Sequence, residues 1–571
     1  MPTQNPPAPP AGEQPAPVSE DPIESRLTKR RGVAANTAIF SLATGASRVI
    51  GLGREVLAGS YFGTSGAFSA FTIAFQVPNL LRQLVADQAI TSAFVPVFTQ
   101  LLEEKKQKEA FRLASTFFFL ITAVLGSLTA FFIIFAPIIM PLFTGSEFQG
   151  ELDDLVSGLS RVLFPIVVLL GLNGLCVGIL NAYDHFVIPA LSPLVWNLVI
   201  IGVLVFTRPL FSGGDEMYAY AIGVLAGTIV QFSMAFPVLR AYGFKFTLDI
   251  DLRDKLIGSV IRLMIPVTIS LGLINFSLVI NATVGSLVSE QAPRAIDAAF
   301  RIYMLPQGMF SVALATVLFP TLARLAVRGD LDGLRRTTAN GVRQISMLLI
   351  PAAAFTMVLA VPITRLIYQR GAFGPSSTEL VASALFWFSF SLPLNGINLL
   401  LTRTFFSIQR PWLPTGWAAL NVVLNLGVSL ALYKPFGIPG VVIGTTAGNA
   451  GMLVGQTYFA RRELKGIEGR ATAISIAKML FAAAVLAGVG YGVWYGLDQA
   501  LGRALWAQII SVMTAICLGS AAYVGLVMWM RIPEAEQIRS LIARRLGRGK
   551  GGPPAGPPPG GGAGAPPAAG A

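Results

Sequence analysis

Residues 112–143 read RLASTFFFLITAVLGSLTAFFIIFAPIIMPLF. After Arg112 the run holds no charged side chain, and it exceeds the roughly 20 apolar residues that a helix needs to cross a bilayer. It lacks the strict apolar–polar alternation of a strand in a closed membrane barrel. It reads as a membrane helix, and the rest of the chain repeats it. Further apolar segments lie near 36–60, 67–101, 155–181, 187–207, 217–239, 257–288, 295–325, 343–368, 378–407, 412–433, 439–460, 473–496 and 504–530, which makes fourteen. Across its 571 residues the chain is 54% hydrophobic and 12% charged, with a mean hydropathy of +0.66. Soluble domains are about a quarter charged, so this composition excludes an ordinary soluble enzyme.

The connections between segments carry a charge pattern. Even-numbered ones hold Lys105, Lys106, Lys108 and Arg112, then Arg240, Lys245, Arg253 and Lys255, then Arg324, Arg328, Arg335 and Arg336, then Arg403 and Arg410, then Arg461, Arg462, Lys465 and Arg470. The short one near 182–186 carries neither Lys nor Arg. Odd-numbered connections are poor in both, and 144–154 is acidic. Short basic loops stay in the cytoplasm, which puts both chain ends there, as an even number of spans also demands. The net charge of +13 is then a topology signal, and no nucleic-acid partner is expected.

One histidine, His185, and two cysteines, Cys176 and Cys517, cannot assemble a zinc or iron–sulfur site. Both cysteines lie in apolar runs, which disfavour the thiolate. His185 follows Asp184 in a turn and reads as a loop residue. Residues 1 to about 22 are rich in Pro, Ala and Gln and read as disordered, with no secretory-signal pattern. Arg26, Lys29, Arg30 and Arg31 follow them. Residues 549–571 are almost entirely Gly, Pro and Ala, a composition that cannot pack a core.

An internal repeat organises the segments. The stretch Ala93-Phe94-Val95-Pro96-Val97-Phe98 resembles Val317-Leu318-Phe319-Pro320-Thr321-Leu322, with Pro96 and Pro320 separated by 224 positions. Arg112 and Arg336 keep that separation, as do Asn197 and Asn421. The offset joins segment 2 to segment 8 and segment 5 to segment 11. It implies two six-helix halves running parallel, with two helices added. Parallel repeats with a midplane site between them are a transporter architecture. The expected fold class is an all-α polytopic membrane protein of 14 transmembrane helices, two six-helix lobes plus helices 13 and 14, with disordered tails. The expected division is a cytoplasmic tail at 1–33, an N-lobe at 34–240, a C-lobe at 241–463, helices 13 and 14 at 464–531, and a basic, then Gly/Pro/Ala-rich tail at 532–571.

Ionisable residues inside spans are costly and point to function. Four arginines qualify: Arg48 and Arg54 in segment 1, Arg82 in segment 2 and Arg301 in segment 8. Helix rise puts Arg48 and Arg82 each about 20 Å from a segment end, and Arg301 about 10 Å from one. Arg54 lies nearer the outer end, where snorkelling also accounts for it. Acidic partners are few. Glu55 shares a helix face with Arg48, Asp297 sits four residues before Arg301, and Asp87 lies close to Arg82. One reading is a set of structural ion pairs. The other is a cationic chamber between the halves, because guanidinium groups stay protonated when buried and grip phosphate bidentately. An excess of embedded arginine implies an anionic ligand.

Gly440, Gly444 and Gly448 recur every four residues, a small-residue face for close helix packing. No Lys-Ser/Thr follows, so they form no phosphate loop. Gly51 and Gly53 read as packing or hinge residues. Pro78, Pro96, Pro165, Pro189, Pro193, Pro306 and Pro320 fall within or near helices, where proline kinks the helix and frees carbonyls.

These residues carry a family resemblance. Ser47-Arg48-Val49-Ile50-Gly51 followed by Arg54-Glu55 looks like the first helix of the MurJ (MviN) lipid II flippase family. Phe75-Gln76-Val77-Pro78-Asn79-Leu80-Leu81-Arg82, followed by Ala93-Phe94-Val95-Pro96, resembles its second. Leu180-Asn181-Ala182-Tyr183 and Ile188-Pro189-Ala190-Leu191-Ser192-Pro193 resemble the approach to its fifth helix. Arg301 with Leu305-Pro306, Gly308 and Leu318-Phe319-Pro320 resembles the eighth. Arg370-Gly371-Ala372-Phe373 resembles the loop after the ninth. The resemblance runs from about 34 to 530.

It implies the fold of the MOP exporter superfamily and the flipping of undecaprenyl-pyrophosphate-linked peptidoglycan precursor from inner to outer leaflet. It carries the family's cavity arginines onto Arg48, Arg54, Arg82 and Arg301, and it places Asn79 with Arg82 in the substrate-binding set. Glu55, Asp87 and Asp297 become gating or charge partners, and Gly51, Gly53, Pro78 and Pro306 hinge or packing residues. Helices 13 and 14 would form a groove for the polyprenyl tail. This chain departs from the family at Ser69 and Phe300, where Asp is frequent, and at Met304, where an acid is frequent. Asp297 stands a turn earlier as a replacement.

The expected protein is a transporter, not an enzyme, monomeric, in the bacterial cytoplasmic membrane. Its partners are lipid II and membrane lipids, with cell-wall synthesis proteins reached through the cytoplasmic tails. It needs no cofactor or metal. Coupling to the membrane potential, sodium or chloride is compatible with the sequence. The alternatives are a flippase for another polyprenyl-linked saccharide, a drug exporter of the same superfamily, or a non-transporting scaffold for cell-wall synthesis.

Overall fold

The computed structural model describes residues 22–85, 87–148, 150–245 and 255–535; side chains at 22–41, at 82–93 and over most of 255–274 are outside that description. Among the described residues fourteen helical units emerge when helices that continue one another are joined, matching the fourteen apolar runs, and eleven of them are long and apolar enough by themselves to cross a membrane. They are α1 (Pro22–Phe62), α2 (Gly66–Val85 and Asp87–Glu103), α3 (Gln107–Ile139), α4 (Glu151–Leu163 and Pro165–Ala182), α5 (Val187–Thr207), α6 (Glu216–Ser233 and Ala235–Ala241) and α7 (Lys255–Gly285). Then come α8 (Ala292–Pro306, Gln307–Val312 and Ala313–Val327), α9 (Leu331–Val358 and Ala360–Tyr368), α10 (Pro375–Ser407), α11 (Trp412–Phe436), α12 (Ile438–Glu463), α13 (Gly469–Leu501) and α14 (Leu505–Trp529). No strand occurs among the described residues.

Two breaks have visible causes. Pro165 restarts α4 because proline lacks an amide hydrogen and its ring crowds the preceding turn. In α8, Pro306 precedes a π turn at Gln307–Val312, the kind of bulge that frequently marks functional positions. One boundary differs from expectation. The tail expected at 1–33 gives way to helix at Pro22. Proline suits the first helical position, no glycine or proline follows until Gly32, and extending an existing helix is far easier than nucleating one. Residues 1–21 and 536–571, which carry the remaining tail expectations, lie outside the described residues.

The repeat is visible in the packing. In the first lobe α1 packs on α5, α5 on α6, α2 on α4, α3 on α4 and α4 on α6. In the second α7 packs on α11, α11 on α12, α8 on α10, α9 on α10 and α10 on α12. Each contact in one set is the other displaced by six helices. The glycine face of α12 acts as the sequence suggests. A β-carbon at Gly448 would stand 2.7 Å from the Asn421 carbonyl, and Gly440 and Gly444 meet the backbone of α11 still more closely.

α13 and α14 pack on each other and on α9. An ion pair at each end holds them to α9. Arg343 bonds Glu468 at 2.9 Å and also Glu534, while Arg365 reaches Asp498 at 3.2 Å. Between these clasps lies an apolar groove of about 510 Å³, lined by Pro351 and Phe355 of α9, Leu486 of α13 and Tyr523 and Val527 of α14.

The lobes meet tightly where the odd-numbered connections lie. The Ala372 amide donates to the Ser60 carbonyl at 2.8 Å, and the Thr64 and Ser377 hydroxyls are 2.8 Å apart. Gly63 and Gly371 both adopt left-handed backbone, and each faces the other lobe's backbone with no space for a β-carbon. Gly145 likewise abuts Leu287. This seam leaves the odd-connection face closed.

Candidate functional site

The seam sits above a cluster of charge. Glu55 of α1 is buried and takes three guanidinium groups from two lobes. Arg54, its neighbour, bonds it at 2.5 Å, Arg294 of α8 at 3.3 Å and Arg301 of α8 at 3.2 Å. The Tyr220 hydroxyl donates to the same carboxylate at 3.3 Å. Asp297 joins from α8, accepting from Arg301 Nε at 2.9 Å and from Arg294 Nη1 at 3.0 Å. Gln76 of α2 reaches Asp297 at 3.5 Å. Helix geometry explains the convergence. Residues 294, 297 and 301 are spaced by three and four, so they share one face of α8.

Aromatic rings complete the enclosure. The Arg294 guanidinium stacks 3.8 Å above the Phe68 ring and that of Arg54 4.8 Å from the Trp196 ring, the contact that best satisfies the face of a guanidinium. The Arg294 side chain is 1% exposed and that of Arg301 35%. The charges do not balance. Three arginines face two carboxylates, and Arg54 Nε and Nη1 and Arg294 Nε and Nη2 have no hydrogen-bond partner among the described residues. The void between these side chains is only about 10 Å³, the scale of one water.

The expected residues divide as follows. Arg54, Arg301, Glu55 and Asp297 come together, and the Asp297–Arg301 pairing forms as the spacing predicts. Arg54 does not snorkel; it is 7% exposed. Arg48 does not pair with Glu55. It is exposed, and its guanidinium lies 3.9 Å from where a β-carbon would stand on Gly308 of α8, so it too spans the gap between lobes. The side chains of Arg82 and Asp87 lie outside the described residues. Asn79 lines a separate pocket of about 380 Å³ inside the first lobe, with Asn173, Ser192 and Trp196. Gly51 packs at ordinary distance on Asn197, Gly53 faces open space, Pro78 lies inside α2 and Pro306 borders the π turn. Ser69 accepts from the Arg294 amide at 3.3 Å. Phe300 packs on Phe388, and Met304 lines a second-lobe cavity with Phe300.

Arg294 is the principal residue that the sequence reading missed. The expected eighth segment began at 295, one position too late. The repeated acidic and basic spacing from 294 to 301 was the signal available.

The fold defines the class. The structure superposes on a solved structure titled "Lipid II flippase MurJ, inward closed conformation" with a TM-score of 0.71 at 23% identity, covering 89% of this chain and 99% of that one. It also matches an inward-facing multidrug resistance MATE family transporter of the MOP superfamily, with a TM-score of 0.57 at 17% identity over 75% of this chain and 94% of that one. This is a multi-pass membrane protein with the MOP transporter fold. The family follows from sequence: the "Lipid II flippase MurJ" family matches residues 58–509, and the chain belongs to it. A "Probable lipid II flippase MurJ" of Rhizobium meliloti (strain 1021) is 28% identical over 514 residues, 88% of this chain and 95% of that protein. A "Lipid II flippase MurJ" of Burkholderia cenocepacia is 29% identical over 70% of this chain and 78% of that one. The family is one of transporters, not enzymes.

Proposed function

We propose that this protein flips lipid II, an undecaprenyl-pyrophosphate-linked peptidoglycan precursor, from the inner to the outer leaflet of the bacterial cytoplasmic membrane by alternating access. Family membership supports the substrate. The observation that carries the mechanism is Glu55, held at once by Arg54 of its own lobe and by Arg294 and Arg301 of the other. Such a carboxylate closes the lobes while it is shared and frees three guanidinium groups when they part.

With the odd-connection face taken as outward, as the basic even-numbered loops support, the closed cluster and the glycine seam form the outer gate. Arg48 lies exposed toward the cytoplasmic approach, where it meets the pyrophosphate first. The void at the cluster is too small for a pyrophosphate, so the lobes must separate there for the anion to advance. Arg54 and Arg294 then offer their unpaired donors. The incoming negative charge replaces Glu55 and Asp297 as the partner of the arginines and weakens the closed gate. The apolar groove against α13 and α14 suits the polyprenyl tail, and membrane potential or a transported ion is a compatible driving force.

The test is the leaflet distribution of lipid II in cells depleted of the wild-type protein and carrying Arg301→Ala or Arg54→Ala. Accumulated lipid II with a collapsed outward-exposed fraction, at normal protein level in the membrane, is expected. A normal exposed fraction in both variants would overturn the mechanism.

A further inference from the structure

A second polar region lies inside the C-terminal half, along the same helix as Arg301. Phe300, Tyr303, Met304 and Gln307 descend one face of α8 and line a cavity of about 230 Å³ with α7, α10, α11 and α12. The lining is rich in carboxamides and contains no carboxylate, lysine or arginine. Several of these amides are held by neighbours within the same lobe. Asn449 donates to Ser391 at 2.8 Å, Asn421 to the Asn449 side chain at 3.0 Å, Asn398 to the Asn449 backbone at 3.0 Å and Asn395 to Tyr303 at 3.1 Å.

Two atoms are left over. Gln307 Oε1 and Asn398 Oδ1 have no partner among the described residues, although the residues are only 8% and 2% exposed. Buried polar atoms are nearly always hydrogen-bonded, so two unpaired carbonyl oxygens lining one cavity point to a ligand that donates to them. Both atoms only accept. The occupant therefore brings O–H or N–H donors. A cation is disfavoured by the absence of a carboxylate and by Arg301, about 9 Å along the same helix.

We infer that this cavity is a sugar subsite, which takes the hydroxyl and acetamido N–H groups of an N-acetylated sugar through Gln307 and Asn398 while the arginines hold the adjoining pyrophosphate. The inference rests on the flippase reading and adds to it a site for the part of the headgroup that carries no charge. The spacing is suitable, because the sugar of a glycosyl pyrophosphate is directly bonded to the phosphate. The cavity fits a sugar ring and not the whole headgroup. Gln307 is itself the first residue of the π turn at Gln307–Val312.

Gln307→Met is the sharpest variant, because it deletes an unpartnered acceptor at nearly constant volume. Affinities of the purified full chain would be measured for lipid II and for undecaprenyl pyrophosphate, which has the same tail and anion but no sugar. The expected result is a loss of roughly fivefold to tenfold for lipid II, the scale of one hydrogen bond, with undecaprenyl pyrophosphate unchanged. Asn398→Leu should repeat the selective loss. Equal loss for both ligands, or no loss, overturns the inference while leaving the flippase reading in place. A wild-type protein that binds neither lipid overturns both together.

Discussion

The charged cluster and the carboxamide cavity are both polar, both buried and both built on α8, yet they differ in how they are satisfied. In the cluster, interactions cross between lobes, and a carboxylate of α1 is shared with two arginines of α8. In the cavity, the amides bond to neighbours within one half of the repeat. The first is thus a contact that exists only while the lobes are together, whereas the second survives any rigid movement of the lobe. Under the proposed alternating access, charge sits where the molecule would part, and neutral polarity where it would stay whole.

The largest effect should come from breaking the charged side. Glu55→Ala leaves three arginines, two of them buried, with one carboxylate. Removing one partner from a buried pair destabilises by about 3–5 kcal/mol, so the folded protein should lose thermal stability in detergent and its outer face should open. A cysteine placed at Thr64 would report the opening as faster labelling by an impermeant reagent. Glu55→Ala with labelling and melting temperature unchanged would mean that the cluster does not close the lobes.

The carboxamide side should respond less and differently. Asn449→Leu removes the donor to Ser391 and the acceptor for Asn421. A loss of about 1–3 kcal/mol is expected, with slower transport and outer-face labelling unchanged. If labelling rose as it does for Glu55→Ala, the distinction between inter-lobe and intra-lobe polarity would fail.

A third test concerns the seam between the lobes. Gly371→Ala forces a β-carbon against the Ser60 carbonyl from a left-handed backbone position. A shift of about 1–3 kcal/mol toward the open outer face is expected, seen as faster labelling at Thr64, while lipid II affinity stays the same. Slower labelling would show that the glycine does not limit closure.

The sequence exposed the part of this design that depends on runs and periods. Fourteen spans follow from uninterrupted apolar stretches, and the 224-residue offset foretold the matched packing of α5 on α6 and α11 on α12. Arg54, Glu55, Asp297 and Arg301 were visible because charge is rare in such stretches. What depends on distant neighbours was hidden. Nothing near Arg54 announces Trp196, which stacks on it from α5 and turns an apparent snorkel into a buried ion pair. Arg294 was hidden by a boundary one residue out, which placed it in a loop. Arg48 stands two turns, about 10 Å of helix rise, from Glu55, and the arginines that do reach that carboxylate across the gap come from α8, a fact of assembly. The cavity at Gln307 escaped because asparagines and glutamine are unremarkable singly in a sequence, and only the packing of five helices gathers them.

The two clasps on α9 have a mechanical corollary. With Arg343 fastening one end of the α13–α14 hairpin and Arg365 the other, the greasy trough between them belongs to the C-terminal lobe, and under the proposed alternating access it would turn with that lobe. A polyprenyl chain seated there would be leashed at a constant point. The headgroup's sweep would then be set by the isoprene units between trough and pyrophosphate, and the remaining length would trail in the bilayer as slack. Trimming that slack should leave turnover unchanged, while cutting inside the leash should stop it.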